Sequence, residues 1–578
     1  MTRNSGGISR RNFVTGAVLS GAAVAAASVF GCSPAAKQQP EEETTTQRDA
    51  STEADPWLGT EPATPEAFDE EITADVVILG AGIAGVSACR SAIEEGATVA
   101  IFEKSADVAG RSQDFVALGS SWIEENFPSL HKMSDIKWSF LQDTIKGNLG
   151  RTKEAIWSRW ADECGPGFDW WIGAFPADEL SSGNEGNDNT AGGEKNCVTL
   201  KTWPLPSTYD PSSELYPSYA GTAVLMGADG SRSLAFTRAN FELAQSEGAE
   251  RLTSRFEARA EKLLTDGSGR VTGAVIRYED GSVCKATATK GVVLSTGDFL
   301  NNPDMLEHFC PRTARGGYTP EKSIYTTFDA TGAACNTGDG HRMAMWVGAN
   351  MQLDGCSMTH MEKQEVEAIG TDPCLWLNLE GKRFMNEDCQ ACHMSQRLEE
   401  LPGNKIFQVF DGNILDELDC MPYGHHRVTR QTQEGLDAAV EAGALLRGDT
   451  IDELLAQMEG IDVQAAKASI ERYNELCAKG VDEDFGKTPM RLFPVDTAPF
   501  YCVTWGGNVS LVTLSGLESD EECHVYSAEH KIIPGLYVAG NTQGNRWAIE
   551  YAETALGMSH SMAMVYGRIA GKNALNQI

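Results

Sequence analysis

Positive charge is scarce in this chain of 578 residues, where 47 lysines and arginines face 82 aspartates and glutamates, a formal net charge of −35. Such a surface repels phosphates, so nucleic acid and anionic lipid are excluded as partners, whereas a basic protein would suit it. Cysteine is also sparse, since 15 residues in a chain of this length are too few for a disulfide scaffold. Their spacing shows no repeated zinc-ligand pattern, so we predict no metal site and expect most of them to be buried thiols. The 41% of hydrophobic residues is enough for two or three domains with substantial cores.

The N-terminus predicts export. Arg10 and Arg11 stand immediately before the apolar run Val14 to Phe30, which is the layout of a twin-arginine signal. The run is rich in alanine and glycine, and is too weakly hydrophobic for a permanent membrane span. Val29-Phe30-Gly31-Cys32 resembles a lipoprotein box, which makes Cys32 a candidate lipid anchor. With or without the lipid, the predicted location is the outer face of the cytoplasmic membrane, the periplasm or the exterior.

A glycine-rich turn follows a short apolar strand that ends at Leu79, and a helical pattern follows the turn. Each glycine has its own physical reason: Gly80 turns the chain sharply, Gly82 lets the backbone approach a pyrophosphate, and Gly85 lets the helix pack closely on the strand. The helix N-terminus then faces the phosphates. A second strand ends in Glu103, where an acidic side chain accepts hydrogen bonds from ribose hydroxyls. These elements in this order predict a dinucleotide site.

Further motifs indicate which dinucleotide is bound. Lys290 to Gly297 and Ile533 to Asn541 are two more buried strands with small-residue turns, and the second leads into a helix over Gly557 to Lys572. Taken together, the motifs are GAGIAG, EKS, GVVLSTGDF, GDGHRMAMWVGA, EGKRFMNE and GLYVAGN. Over most of Ile72 to Ile578 the chain resembles the flavoprotein family of fumarate reductases, succinate dehydrogenases, L-aspartate oxidases and ketosteroid dehydrogenases. The resemblance implies FAD as the cofactor, and the glycine-rich turn with Glu103 predicts that it is bound non-covalently.

The same resemblance implies an α/β fold in which a discontinuous, Rossmann-like FAD-binding domain carries an inserted α+β capping domain. Five segments are expected. They are a twin-arginine signal with a lipoprotein box over 1–32, a disordered tether over 33–71, the first part of the FAD-binding domain over 72–355, the capping domain over 356–495, and the second part of the FAD-binding domain over 496–578.

The resemblance implies the cofactor contacts residue by residue. The three glycines of the first turn are expected to hold the pyrophosphate. The residues expected to touch FAD are Glu103 at the adenosine ribose with Lys104 beside it, Arg111 and Ser112 near the phosphates and ribityl chain, Thr296 and Gly297 at the adenosine side, Asp339 in the flavin-facing turn, and Gly540 and Asn541 along the ribityl chain. The family usually has glutamate where Asn541 stands. Gly557 to Ser559 are expected to cover the isoalloxazine and to aim a helix N-terminus at its O2, which stabilises the reduced anionic flavin.

The substrate side departs from the fumarate reductase pattern. The position of the arginine acid falls at or near Ala391, the expected histidine is replaced in the 510–513 region, and the arginine that would bind a substrate carboxylate falls near Thr554. His360 is the one catalytic residue of that pattern that remains. Without arginines to pair with two carboxylates, fumarate is a poor candidate substrate.

Two residues could replace the missing acid. Tyr551 follows the flavin-binding turn at a spacing that resembles the ketosteroid dehydrogenases, and its phenol could transfer a proton opposite flavin N5 or could simply be a packing group. Arg546 is the remaining electrophilic residue of that loop, with a surface ion pair as its alternative. His560 is expected to be a helix residue against the flavin.

Cys389, Cys392 and His393 spell C-x-x-C-H, the attachment pattern of a c-type haem. The pattern stands directly after EGKRFMNE, within the catalytic module, whereas flavocytochromes of this family carry their haems in an appended domain. We therefore predict no covalent haem and favour a structural thiol pair. A metal or iron–sulfur site would need further cysteines from elsewhere in the chain.

These observations predict an exported FAD-dependent oxidoreductase, most simply a respiratory-type reductase of an activated C=C bond in a small organic acceptor. The alternatives are a ketosteroid-type dehydrogenase and an electron-transfer flavoprotein subunit without small-molecule catalysis. No second G-x-G-x-x-G is evident for a nicotinamide cofactor. Electrons are therefore expected from an external donor such as a membrane-associated cytochrome c or a flavin carrier.

Overall fold

The computed structural model describes residues 55–127, 147–185, 195–201, 222–316, 331–361, 368–389, 391–421, 431–506, 508–551 and 556–576, with a few single residues between them. The twin-arginine segment, Cys32 and Thr554 lie outside the described residues. None of the helices in these ranges is both long and apolar enough to cross a membrane. The chain is a mixed α/β protein.

Strands and helices are interspersed along the described chain. The strands are β1 Glu70–Leu79, β2 Val99–Phe102, β3 Asp114–Val116, β4 Leu180–Glu185, β5 Asn196–Lys201, β6 Thr222–Met226, β7 Leu252–Arg255, β8 Ala258–Thr265, β9 Val271–Tyr278, β10 Val283–Leu294, β11 Ser357–Met361, β12 Leu375–Asn378, β13 Lys405–Phe410, β14 Leu446–Gly448, β15 Phe500–Gly506, β16 Asn508–Thr513, β17 His524–Tyr526 and β18 Ile532–Val538. The helices are α1 Ile83–Glu94, α2 Ser121–Asn126, α3 Glu154–Ile172, α4 Ser233–Gly248, α5 Pro303–Phe309, α6 Pro311–Arg315, α7 Asp339–Trp346, α8 Ala391–Leu398, α9 Ile414–Glu417, α10 Gln433–Glu441, α11 Ile451–Leu455, α12 Val463–Lys479 and α13 Met558–Asn573.

Five parallel strands form the centre of the largest sheet, in the order β18-β10-β1-β2-β7. Strand β17 pairs antiparallel with β18 at one edge, and β9 pairs antiparallel with β8 and β10. The last residues of the strands are in register: Leu79 lies between Phe102 and Leu294, and Leu294 pairs with Val538. The turns that follow these four strands therefore leave the sheet at one edge, which is where a doubly wound sheet binds its ligand.

Both faces of this sheet are covered, because β1 is apolar on both sides. Val76 and Ile78 belong to one core, shared with α1, α3 and α13. Val77 and Leu79 belong to a second core, shared with β8, β9, α5 and α7. A parallel strand buried on both faces is expected to be a continuous apolar run, and Val-Val-Ile-Leu in this chain is such a run.

A second sheet has the antiparallel order β12-β13-β15-β14. Trp376 packs on one face with α8 and α10, while Leu375 and Leu377 pack on the other with α11 and α12. Strand β15 belongs to this sheet although it lies in the segment 496–578 that the sequence assigned to the other domain. Its partner β13 is far away in sequence, so no local pattern indicates the pairing.

The segment expected to be a tether is partly packed against the chain. β1 begins at Glu70, and Trp57 stacks on His308 of α5 with a ring-centroid distance of 4.2 Å. Lys262 also donates a hydrogen bond to the Pro62 carbonyl, with an Nζ–O distance of 2.9 Å. The tryptophan ring gives this segment a large apolar surface to bury against α5.

Two smaller sheets complete the described strands, one with the order β3-β6-β5-β4 and one formed by β11 and β16. Strand β3 lies directly against the start of α13. A Cβ on Gly557, the residue before that helix, would stand 2.3 Å from the backbone of Asp114. Since Gly557 also has a φ of +85°, only glycine suits this position.

Candidate active site

The turn between β1 and α1 combines two tightly packed glycines with one that faces open space. A Cβ on Gly80 would lie 2.4 Å from the Ser295 carbonyl oxygen, and a Cβ on Gly85 would lie 1.8 Å from the carbonyl oxygen of Gly80. A Cβ on Gly82 would meet only the Ala109 oxygen, at 4.0 Å. Gly82 caps α1, whose first turn carries no acidic residue. The helix N-terminus is therefore open to a pyrophosphate at Gly82.

This arrangement predicts that Gly82→Ala weakens FAD binding without damaging the fold. Gly82 has a φ of −75°, which any residue can adopt, so the methyl group enters the open space and not the core. We expect the dissociation constant for FAD to rise roughly tenfold or more, measured by titrating apoprotein, with little change in the Tm of the apoprotein. Gly267→Ala is the matched control, because a Cβ on Gly267 would meet no atom within 4 Å. Equal FAD affinity in both variants would contradict the prediction.

Glu103, at the end of β2, is tied to the glycine turn. Its carboxylate accepts hydrogen bonds from the backbone N–H of Ala81, at 2.7 Å, and of Ser105, at 2.9 Å. Lys104 donates to Asp339 Oδ2, with an Nζ–Oδ2 distance of 3.1 Å. Burial raises the pKa of Asp339, but Lys104 and Arg259 outweigh it and hold that pKa below its usual value. Asp339, expected in a flavin-facing turn, thus lies beside the residue that follows Glu103.

The turns after β10 and β18 are joined by hydroxyl groups. Thr542 donates to the Gly297 carbonyl with an Oγ1–O distance of 2.8 Å, and its Oγ1 lies 3.2 Å from that of Thr296. Gly540 packs against α1, since a Cβ there would stand 3.0 Å from the Cβ of Ala84. The structure therefore brings Thr296, Gly297 and Gly540 to the same edge as the glycine turn.

Arg111 and Ser112 lie in the stretch between β2 and β3. Arg111 donates to the Asn336 side-chain oxygen, and its Nη1 is 3.8 Å from Oδ2 of Asp298, a fully buried carboxyl group whose pKa is raised by burial. Ser112 has a φ of +51°, and its carbonyl accepts a hydrogen bond from the N–H of Ser233, at 3.2 Å. Arg111 is the positive charge nearest to this buried carboxyl group in the described ion pairs.

Four of the predicted site residues form a hydrogen-bonded cluster at the start of α13. Asn541 Oδ1 accepts hydrogen bonds from Ser559 Oγ, at 3.0 Å, and from Arg546 Nη2, at 3.2 Å. The N–H of Ser559 donates to the Tyr551 hydroxyl oxygen, at 3.1 Å. Only 2% of Tyr551 is exposed, and its ring lies 5.0 Å from that of Trp547. Both candidate replacements for the missing acid thus lie at the helix N-terminus that was expected to face the flavin.

Arg546 is a fully buried guanidinium with neutral hydrogen-bond partners. Besides Asn541, it donates from Nε to the Gln543 carbonyl, at 3.0 Å, and it lies 4.7 Å from the ring centroid of Trp547. Among the described residues, Nη1 has no hydrogen-bond partner and no carboxylate forms an ion pair with this arginine. Burial lowers the pKa of Arg546 to about 10, so the group stays charged at neutral pH. A surface ion pair, the alternative that the sequence left open, does not describe this residue.

The two histidines considered from sequence have different surroundings. His360 lies on β11, where its backbone pairs with Val509 of β16; its side chain is outside what the structure describes. His560 is half-buried on α13, with its ring stacked on Phe115 and its Nδ1 2.9 Å from the Asp114 carbonyl oxygen. Burial lowers the pKa of His560, so this imidazole is neutral and packs as a helix residue.

The C-x-x-C-H pattern lies at the start of α8, beside the second sheet. Cys389 packs against the core that contains Trp376, and burial raises the pKa of its thiol, which disfavours the reactive thiolate. Cys392 and His393 lie on α8, but their side chains are outside the described residues.

We predict that the double variant Cys389→Ser, Cys392→Ser keeps its flavin content within about 20%, because a serine replaces each thiol at nearly equal volume. Flavin absorbance per protein gives the measurement. A pyridine haemochrome signal that survives denaturation of the wild-type protein would contradict the prediction that no haem is attached.

Two of the side chains that bind the backbone of the Arg546–Tyr551 loop were not found by sequence reasoning. They are Asn148 and Gln352, which bind the backbone of that loop from two distant parts of the chain. No local signal marks either residue, because an amide that binds backbone groups hundreds of positions away belongs to no motif.

Comparisons with known proteins agree with this geometry. The model of the family described as "FAD binding domain" matches residues 75–549. The chain is 26% identical over 524 residues to a vinyl phenol reductase of Lactiplantibacillus plantarum, covering 86% of this chain and 96% of that protein. It is 25% identical over 508 residues to a fumarate reductase (cytochrome) of Shewanella frigidimarina, covering 87% of this chain and 77% of that protein.

A solved structure shows the same fold. The 3-ketosteroid-Δ4-(5α)-dehydrogenase of Rhodococcus jostii RHA1 has a TM-score of 0.62 and 22% sequence identity, and the match covers 89% of this chain and 99% of that one.

Proposed function

Because this chain belongs to the FAD binding domain family, we propose that it is an exported, respiratory-type reductase that saturates an activated C=C bond in a small organic acceptor other than fumarate. FAD is its cofactor, and the chain is an FAD-dependent oxidoreductase of the class that acts on CH–CH bonds. The cluster of Asn541, Arg546, Tyr551 and Ser559 at the start of α13 carries the proposal, because it joins a buried cation and a phenol at one helix N-terminus.

The reaction divides into a hydride and a proton. FAD, when bound, supplies the hydride from N5. Tyr551 supplies the proton, and the N–H of Ser559 keeps its oxygen in place. Arg546 is a buried positive charge, and it favours the negative charge left on the tyrosine oxygen or on an electron-withdrawing group of the acceptor. One hydride and one proton added to C=C give CH–CH.

The proposed acceptor class follows from what is missing and from one relative. Ala391 begins α8 at the place where the family resemblance expects an arginine, so one of the groups that pair with a dicarboxylate is lost. The relative named vinyl phenol reductase is similar over 96% of its own length. We therefore propose a conjugated, largely apolar acceptor such as a phenolic acrylate or vinyl phenol, with enone steroids and unsaturated acids as further members of the test panel.

The finer architecture belongs to the same proposal. Residues 356–495, which include most of the second sheet, form a capping domain inserted between the two parts of a Rossmann-like FAD-binding domain, and together they exclude water from the site. Electrons come from an external donor such as a membrane-associated cytochrome c or a flavin carrier, and Cys32 is the candidate lipid anchor that would keep the protein near it.

Reduced viologen tests the proposal directly. Purified, FAD-loaded protein should oxidise the dye in the presence of a phenolic acrylate or vinyl phenol, and the product should gain two hydrogens by mass spectrometry. Fumarate should give a rate near background. If the dye reduces the bound flavin but no member of the panel is consumed, the protein is an electron-transfer subunit; if enone steroids form from saturated ketones with an oxidising dye instead, it is a ketosteroid-type dehydrogenase.

A further inference from the structure

One side-chain oxygen binds three successive peptide groups in the loop of residues 545–551, which carries Arg546 and Tyr551 and is called the acid loop below. Asn148 Oδ1 accepts hydrogen bonds from three successive backbone N–H groups of this loop: Ala548 at 2.8 Å, Ile549 at 2.9 Å and Glu550 at 3.2 Å. Asn148 is fully buried. These N–H groups belong to no helix or strand, so without this oxygen they would be buried donors in need of another acceptor.

A second amide binds the other end of the acid loop. Gln352 Oε1 accepts from the N–H of Asn545, at 2.7 Å, and of Gly516, at 3.3 Å. Its Nε2 donates to the Trp547 carbonyl, at 2.8 Å, and to that of Asp354, at 2.5 Å. Asn545 has a φ of +62°, which fits the sharp turn that starts the loop.

The backbone next to Asn148 fits closely against the acid loop. A Cβ on Gly147 would lie 2.4 Å from Oε1 of Glu550, so a side chain at this position would collide with the loop. Leu149 has a φ of +53°, which is uncommon for a residue other than glycine. Strained backbone of this kind persists only where the surrounding structure holds it in place.

We propose that Asn148 is a positioning residue for the proton-transfer step, and that Gln352 assists it at the opposite end of the loop. The inference rests on the proposed function of Tyr551 and Arg546, and Asn148 itself touches no reacting atom. Its oxygen fixes the peptide groups that lie between Arg546 and Tyr551, and thereby the distance of the two side chains from Ser559 and Asn541. A displacement of about 1 Å in such a group can cost up to roughly 10²-fold in rate.

Asn148→Ala and Asn148→Asp separate positioning from general stability. Alanine leaves three N–H groups without their acceptor, whereas aspartate keeps an acceptor oxygen at the same place. We expect Asn148→Ala to lower kcat by roughly tenfold or more with little change in KM, in FAD content or in the rate at which viologen reduces the flavin. Asn148→Asp should restore most of kcat.

Hydrogen exchange tests the same inference without any turnover. In Asn148→Ala the amides of residues 548–550 should exchange at least about tenfold faster than in the wild type, because their hydrogen bonds are lost. Gln352→Ala should affect the amide of Asn545 and leave those of 548–550 protected. The exchange rates do not depend on whether Tyr551 is the acid. They therefore distinguish a failure of the positioning role of Asn148 from a failure of the proposed function.

Two results would overturn the inference. One is unchanged exchange at residues 548–550 in Asn148→Ala. The other is equal loss of kcat and of FAD in the alanine and aspartate variants, which would mean that Asn148 stabilises the fold and does not position the acid loop.

Discussion

Tyr551→Phe should lower turnover of the acceptor by about 10²-fold or more, the usual scale for losing a general acid. Phenylalanine keeps the ring that packs beside Trp547, so the core should be preserved, but it removes the oxygen that accepts the hydrogen bond from Ser559. FAD binding should hardly change. Reduction of the flavin by viologen should also stay fast, because this step needs no proton from Tyr551. Stopped-flow absorbance separates the two half-reactions.

Tyr501→Phe is a suitable control, since Tyr501 is an equally buried tyrosine in the second sheet, where its ring stacks on Phe410. It should keep the wild-type rate. If Tyr551→Phe also keeps that rate while Arg546→Met is inactive, the acid is Arg546, and the resemblance of this loop to ketosteroid dehydrogenases is misleading.

The sequence could predict the edge of the large sheet that carries the glycine turn. Gly80, Gly82 and Gly85 form one short motif, and strand β2 ends at Phe102, directly before Glu103, close to where the sequence placed its end. The last helix, α13, begins at Met558, one residue after the start that the sequence indicated, with Gly557 as its N-cap. Local chemistry determines these features, so a short window of residues contains the information.

The remainder depends on contacts between distant residues. β15 joins the second sheet through β13, and Asn148 reaches a loop that lies four hundred positions further along the chain. The partners of Tyr551 and Arg546 could not be predicted for the same reason, since the sequence places these two residues near a turn but does not say which groups surround them. That Arg546 would be fully buried without an ion pair in the described structure was also beyond any local pattern.

Arg546→Met is expected to lower turnover by roughly 10²-fold, as for other losses of a buried charge that stabilises a transition state, while leaving the Tm almost unchanged. Methionine loses the hydrogen bonds to Gln543 and Asn541. It also removes a buried guanidinium that has no carboxylate partner in the described structure, and burying such a charge is costly. The loss of hydrogen bonds lowers the stability of the fold, and the removal of the buried charge raises it, so the two effects oppose each other. The reaction, by contrast, loses both the positive charge and its hydrogen-bond donors. A charge kept at an energetic cost is typical of a functional site.

Arg383→Met supplies the matched contrast, because Arg383 is also a buried arginine but lies between two carboxylates. Its guanidinium is 2.8 Å from Glu387 and 2.9 Å from Asp482. Burial lowers the pKa of Arg383, but the two carboxylates outweigh burial and raise that pKa above its usual value. Removing it leaves buried Asp482 without an ion-pair partner among the described residues, and leaves Glu387 only Lys487, at 3.7 Å. Breaking a buried ion pair in this way costs about 3–5 kcal/mol, so this variant should have a lower Tm but keep its turnover per bound FAD. The two arginines thus differ in their surroundings: Arg383 lies between two carboxylates, whereas Arg546 has no carboxylate partner among the described residues and, under the proposed function, interacts with the acceptor. A fall in Tm in Arg546→Met as large as that in Arg383→Met would assign Arg546 a structural role instead.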